Sequence, residues 1–452
     1  MVNLWFGAAL LEAGWAENVR FGIEAGRIDR IDIGVAAAPQ DERHGVALPG
    51  IPNVHSHAFQ RAMAGLTESA GPGADSFWSW RNLMYRFVER LDPEDLEAIS
   101  AFAFAEMLEA GFTRVGEFHY LHHDRDGTPY ANLGELAARI AAAAQEAGIG
   151  LTLLPVFYAH GNFGAVPPGA LQRRFVNDLD RFARLLEASR GAVQSLEAAR
   201  VGVAPHSLRA VTPQELGALV ALAPNAPLHL HIAEQVKEVN DCIAWCGRRP
   251  VEWLLDQQRV DGRWCLVHAT HVNAEEVHRL AASAAVAGLC PITEANLGDG
   301  IFPAAEFLGA DGACAIGTDS NVRIDAAEEL RTLEYTQRLT HRRRNVLAHG
   351  RERSTGRRLL EAAVAGGAQA LGCDRRGLIA GADADIVSLD TTHDSLLCRR
   401  GDAILDSWIF AARAPVIDCV WRYGHKLVSH GRHIRRDAIA ARYRRVLAGL
   451  LS

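Results

Sequence analysis

Leu48-Pro-Gly-Ile-Pro-Asn-Val-His55-Ser-His57 is the stretch on which the reading of this 452-residue chain turns. Pro49 and Gly50 break the chain, a short apolar run follows, and two histidines one residue apart close it. Residues i and i+2 of a strand share a face, so His55 and His57 present both imidazoles to one point. Imidazole is the commonest protein ligand for a divalent metal near neutral pH. A His-x-His pair also arises by chance on polar strands, so the tripeptide by itself does not establish a metal site.

The same motif, a short apolar run ending in polar residues, recurs outward from this point. Strands are expected at residues 51–57, 113–120, 150–159, 200–206, 227–232, 264–268, 285–290 and 313–318. Alanine-rich helical patterns separate them, among them 93–110, 133–147, 175–188 and 213–223. Strand alternating with helix implies a parallel sheet, and eight such units imply an α/β fold of the (β/α)8 TIM-barrel type. Residues 1–49 and 378–433 have a different texture, with short alternating strands and tight turns, and are expected to pair in a small β-sandwich domain built from both chain ends. The barrel then spans 50–377, and 434–452 is a C-terminal helix, basic and apolar, that docks or is solvated.

Composition narrows the function. A net charge of −7 offers no basic field for nucleic acid or an acidic membrane surface. Every apolar run is interrupted before it reaches the length of a membrane span. No basic segment precedes an apolar run at the N-terminus, so no signal peptide is expected. The 8 cysteines lack CxxC spacing, and Cys242 and Cys246, one helical turn apart, read as packing thiols. A reducing, cytoplasmic setting follows.

Barrel enzymes build their sites at the C-terminal ends of strands. Here six such ends carry His, Asp or Glu: His55 and His57; Glu117-Phe-His119-Tyr120; His206-Ser-Leu-Arg209; His229-Leu-His231-Ile-Ala-Glu234; His268-Ala-Thr-His271; and Asp319-Ser-Asn321. A single histidine in an apolar strand is usually a core residue, but six independent accidents are the less economical account. His55, His57, His231 and Asp319 would form a catalytic metal site with a position left for water. Asp319 could also take the proton of that water, Glu234 could carry protons to a leaving nitrogen, and His268 could hold the hydroxide. Strand four, Val201 to His206, has no lysine to bridge a second metal. Spacing leaves His229 and His271 as rivals to His231 and His268.

With these strand ends assembled, the chain resembles the amidohydrolase superfamily over essentially its whole length. Leu48 to His57, His231-Ile-Ala-Glu234, Gly317-Thr-Asp319-Ser and Gly381-Ala-Asp-Ala-Asp-Ile-Val carry the likeness. Within it the chain is most similar to the N-formimino-L-glutamate deiminases of bacterial histidine degradation, through His55–Gly65, Asp75–Arg81, Glu117–Tyr120, His206–Pro213, Val267–His271 and Thr293–Pro303. The resemblance implies one Zn²⁺ per chain, with Fe²⁺ or Mn²⁺ as alternatives, on His55, His57, His231 and Asp319. It implies Glu234 as proton shuttle, His268 beside a metal-bound hydroxide, and Gln60, Arg81, Tyr120, His206 and Arg209 as substrate contacts. The implied reaction deiminates N-formimino-L-glutamate to N-formyl-L-glutamate and ammonia. Two arginines suit its two carboxylates. A small-molecule dicarboxylate partner and a homodimer are expected, with neither nucleic acid nor membrane. The stretch 66–85, with Gly71-Pro-Gly73 and Phe77, Trp78 and Trp80, is either a lid or a packed rim, and the loop 294–300 has no assigned role. The alternatives are a related aminohydrolase acting on a purine, pterin or cytosine-like ring, imidazolonepropionate hydrolysis, and a non-catalytic scaffold of the same fold.

Overall fold

The N-terminal segment forms four strands, β1 (Val2–Leu11), β2 (Gly14–Glu24), β3 (Arg27–Asp32) and β4 (Glu42–Pro49), in a computed structural model that describes residues 2–69, 76–348, 353–413 and 415–452. Gly50 then turns the chain into the barrel. Its strands are β5 (Ile51–Ser56), β6 (Phe112–His119), β7 (Gly150–Phe157), a fourth split into β8 (Arg200–Val201) and β9 (Ala204–Pro205), β10 (Leu228–Ile232), β11 (Trp264–His268), β12 (Val286–Leu289) and β13 (Ala313–Ile316). All eight expected runs are strands, and every neighbouring pair among them is parallel.

Two long ladders, β5 to β8 and β10 to β13, are joined by single bridges. Val203 with Leu228 and Ser207 with His231 close one seam, and Ser56 with Asp319 closes the other. At this second seam the Thr318 and Asp319 amides both donate to the His55 carbonyl, at 3.0 and 2.9 Å. Gly317 makes the approach feasible, because a Cβ there would stand 2.9 Å from the backbone of His55. Barrel closure therefore brings the ends of the first and last strands together, and with them His55, His57 and Asp319.

The chain ends meet in one mixed sheet of eight strands. β14 (Ile386–Leu389), β15 (Ile417–Arg422), β16 (His425–Ser429) and β17 (Arg432–His433) join β1 to β4 in the order β17-β16-β15-β14-β4-β1-β2-β3. Its alternating apolar residues, including Phe6, Phe21, Ile386 and Trp421, share one core. Phe6 meets Phe21 and Trp421 edge-on, with centroids 5.7 and 6.0 Å apart. The terminal helix Arg436–Leu451 docks rather than standing free. Tyr443 stacks on Phe102 at 4.0 Å, and Arg442 pairs with Glu97 and Glu146. Among the described residues no helix is long and apolar enough to cross a membrane.

Candidate active site

The ends of β5, β10 and β13 converge on one point. The Nε2 atom of His55 lies 3.2 Å from His57 Nε2 and 3.0 Å from His231 Nε2, and Asp319 Oδ1 is 3.3 Å from the Nε2 atoms of both His55 and His57. All four side chains are buried. Two of the rings are fixed from behind, with Nδ1 of His57 donating to the Phe118 carbonyl and Nδ1 of His231 to the His206 carbonyl, both at 3.0 Å. Protonating Nδ1 leaves a lone pair on Nε2. Three lone pairs and a carboxylate oxygen crowded this closely repel one another unless a cation lies between them. A tetrahedral site with bonds of about 2.0–2.1 Å sets its donors about 3.3 Å apart, so the cluster fits a divalent metal. Burial holds His57 down to about 3, in the neutral form that ligation requires. Burial works against the charge of Asp319, yet the histidines that face it, His55 first, keep its carboxyl well below the usual range.

The turns that carry these groups are strained. Ala233, His268, Ala269, Asp319 and Asn321 all have φ between 41° and 68°, a region that L side chains avoid. Asn321 holds one of these turns through Nδ2, donating to Ser56 Oγ at 3.1 Å, the His57 carbonyl at 3.1 Å and the Asp319 carbonyl at 3.0 Å.

Beside the cluster lies a small, partly enclosed cavity. Its walls include His57, His231 and Asp319, and also Gln60, Arg81, Tyr120, His206, Arg209, Glu234 and His268. The structure thus brings together every residue expected at the site, with His55 behind the wall as part of the cluster. Gln60 Nε2 donates to the Tyr120 hydroxyl at 3.0 Å. His206 packs its ring 5.0 Å from that of His231. The guanidinium of Arg81 lies 4.5 Å from the centre of Trp78, and that of Arg209 5.9 Å from the same ring.

Three acidic groups surround His268. Its Nδ1 is 3.2 Å from Glu294 Oε1, and its Nε2 is 3.8 Å from Glu234 Oε1 and 3.9 Å from Asp319 Oδ2. Burial alone would push His268 down, but the three carboxylates outweigh it and raise it to about 10. Burial raises Glu234 to about 7 against the opposing pull of His268. A carboxyl poised near neutrality beside an imidazolium can both accept and deliver a proton.

The rivals separate cleanly. Nε2 of His229 donates to the Ala370 carbonyl at 2.8 Å, two residues deeper in the same strand. His271 belongs neither to the ligand group nor to the cavity wall. The stretch 294–300, expected as a loop, begins inside the helix Pro291–Leu297, whose Glu294 faces His268. Residues 77–85 of the stretch 66–85 lie in the helix Phe77–Val88, which lays Phe77, Trp80, Arg81, Met84 and Tyr85 along the cavity, whereas Gly71-Pro-Gly73 and Asp75 lie outside the described residues. Tyr85 and Tyr158 are lining residues that the sequence reading missed. Both left a signal, Tyr85 standing four residues beyond Arg81 on one helix face and Tyr158 standing at a strand end. A second group, His44, Asp418 and Cys419, sits in the β domain. There each ring nitrogen of His44 already faces a carboxylate, Glu42 at 2.9 Å and Asp418 at 3.4 Å, so the arrangement needs no ion.

Comparison with known proteins places this geometry. Residues 46–427 match the model of the family described as "Amidohydrolase family", and residues 2–45 match that described as "Formimidoylglutamate deiminase HutF, N-terminal domain". The chain is 51% identical over 447 residues, 98% of each chain, to a formimidoylglutamate deiminase of Pseudomonas aeruginosa. It is 30% identical to an 8-oxoguanine deaminase of the same organism, over 77% of this chain and 75% of that one. A crystal structure of an amidohydrolase from Brucella melitensis superposes with a TM-score of 0.97 at 57% identity over the whole of both chains.

Proposed function

We propose that this chain, which belongs to the amidohydrolase family, hydrolyses N-formimino-L-glutamate to N-formyl-L-glutamate and ammonia, a reaction of histidine degradation. One observation carries the reading: two arginines, Arg81 and Arg209, line the same buried cavity as the metal-ligating cluster. Paired guanidinium forks match the two carboxylates of the substrate. The similarity to a formimidoylglutamate deiminase along the full chain supports the same substrate.

His55, His57, His231 and Asp319 would hold the metal. Three nitrogens and one oxygen favour Zn²⁺, one per chain. A divalent ion in this position supplies, when bound, a water acidified to near-neutral pH. The protein's own groups do the rest. Arg81 and Arg209 anchor the carboxylates, while Gln60, Tyr120 and His206 flank the formimino group. Glu234 accepts the proton that the attacking water gives up. His268, held by Glu294, donates a hydrogen bond to the oxygen as it adds to the formimino carbon. Glu234 returns that proton to the terminal nitrogen and then relays the proton of the added hydroxyl to the same nitrogen; the C–N bond breaks, ammonia leaves, and the carbon keeps a carbonyl oxygen.

The resemblance to an 8-oxoguanine deaminase favours a ring substrate as the second reading, but a flat ring gives the two arginines of the cavity no pair of carboxylates to bind. A cytoplasmic setting accords with eight free cysteines. A homodimer accords with Tyr335 and Leu339, exposed one helical turn apart. Substrate profiling tests the proposal. N-formimino-L-glutamate should exceed guanine, adenosine and cytosine in kcat/KM by at least about 10³-fold, since two charge-assisted anchors are at stake. Comparable rates on any of these rings would sink it.

A further inference from the structure

Glu238 has no part in the reaction as described, yet it is a fully buried carboxylate beside it. It stands in the first turn of the helix Val236–Cys246, immediately after the turn that carries Glu234. Its Oε1 accepts the backbone N–H of Ala233 at 3.1 Å, and the Glu234 N–H also bonds this carboxylate. Ala233 has φ of 51°, so the turn presenting Glu234 is held in a conformation it would otherwise leave. The other oxygen, Oε2, faces Arg209 Nε at 3.7 Å. That is an ion pair but too long for a hydrogen bond, and neither atom has another partner. Among the described residues it is the one ion pair of Arg209.

We propose that Glu238 is a positioning residue that ties the carboxylate anchor Arg209 to the proton carrier Glu234. Facing Nε, it leaves the outer fork of Arg209 for the substrate carboxylate. Bonded through its other oxygen to Ala233 and Glu234, it fixes the carboxylate that must reach the leaving nitrogen. A substrate carboxylate drawing on Arg209 therefore acts on the same side chain that sets the Glu234 turn. The proposal rests on the assignment of Arg209 as a substrate anchor. The competing account is that Glu238 merely caps its helix, and that account predicts no dependence on Arg209.

A double-mutant cycle with a graded pair separates the two. Glu238→Gln keeps an oxygen for the Ala233 and Glu234 amides and loses the charge facing Arg209. It should raise KM for N-formimino-L-glutamate about tenfold and change kcat by less than about threefold. Glu238→Ala loses both links, and kcat should fall a further ~10-fold or more with metal content unchanged. In the Arg209→Ala background, Glu238→Gln should change KM by less than about twofold. Binding of N-formyl-L-glutamate by calorimetry gives the same cycle without turnover. Equal effects of Glu238→Gln in both backgrounds, or no effect in either, would overturn the proposal while leaving the function intact. A native protein that neither turns over the formimino compound nor binds the formyl product would overturn the function and, with it, this role for Glu238.

Discussion

Replacing Glu234 with Gln removes the one proton acceptor placed for the job. The carboxylate is buried, lies 3.8 Å from His268 Nε2 and is poised at about 7. Asp319 also faces His268, at 3.9 Å, but the histidines around it hold it far below neutrality, which makes it the weaker base. Loss of general acid–base catalysis costs about 10²–10⁴-fold in rate. With no comparable base in reach, the upper part of that range applies, about 10³–10⁴-fold in kcat, or about 4–5.5 kcal/mol of barrier. Metal content should stay native, because the proposed ligands are His55, His57, His231 and Asp319 and not Glu234. The pH profile adds a second readout. Glu234 must be ionised to accept a proton, so native activity falls as pH drops through its pKa. A bound cation favours the ionised form, placing that limb at or below about pH 7, and the Gln variant should lack it. Ammonia release and elemental analysis on the same samples decide the matter. A variant with a full complement of metal and near-native turnover refutes the role.

Other expectations follow from the same geometry. Glu294→Gln removes the carboxylate 3.2 Å from His268 Nδ1. A hydrogen bond to a charged group is worth about 1.5–3 kcal/mol, so kcat/KM should fall at least about tenfold and the alkaline limb should move to lower pH. Unchanged kinetics would dismiss Glu294 as an orienting group. Chelation should abolish activity and lower the thermal midpoint, since an ion at about 10³ times its Kd stabilises the fold by about 4 kcal/mol; an unmoved midpoint would mean the cluster holds no ion. Burial raises Glu117 to about 8, against an ordinary 4.5, although the Ala58 N–H and Ser56 pull the other way. The folded protein then binds the extra proton between those values. The contribution of Glu117 to stability is greatest below about 4.5 and declines as pH rises toward about 8, by up to about 5 kcal/mol. Glu117→Gln should flatten that decline in denaturant titrations, and a retained slope would assign it elsewhere.

The fold was legible because each barrel strand is a short apolar run bounded by turn residues, and a buried parallel strand has little other signature. The clustering of His55, His57, His231 and Asp319 was legible for a related reason, since all four stand at strand ends, where sequence position and spatial position coincide. His229 shows the limit. Period two puts it on the same strand face as His231, and only depth in the barrel, set by the Ala370 carbonyl, tells them apart. Glu294 and Glu238 were illegible because their importance lies in what they face, His268 and Arg209, from the first turns of short helices whose placement no local pattern specifies. The stretch 66–85 was half legible. Its helix places Trp78, Arg81 and Tyr85 at spacings of three and four residues, a face that period 3.6 could have exposed.

The most direct test of the account is ammonia release by the zinc-loaded protein from N-formimino-L-glutamate, with the second product identified by mass spectrometry. The account predicts N-formyl-L-glutamate in one-to-one ratio with ammonia and a kcat/KM of at least about 10⁴ M⁻¹s⁻¹. Protein with one metal per chain that releases no ammonia from this compound, or that yields glutamate and formamide instead, would contradict it.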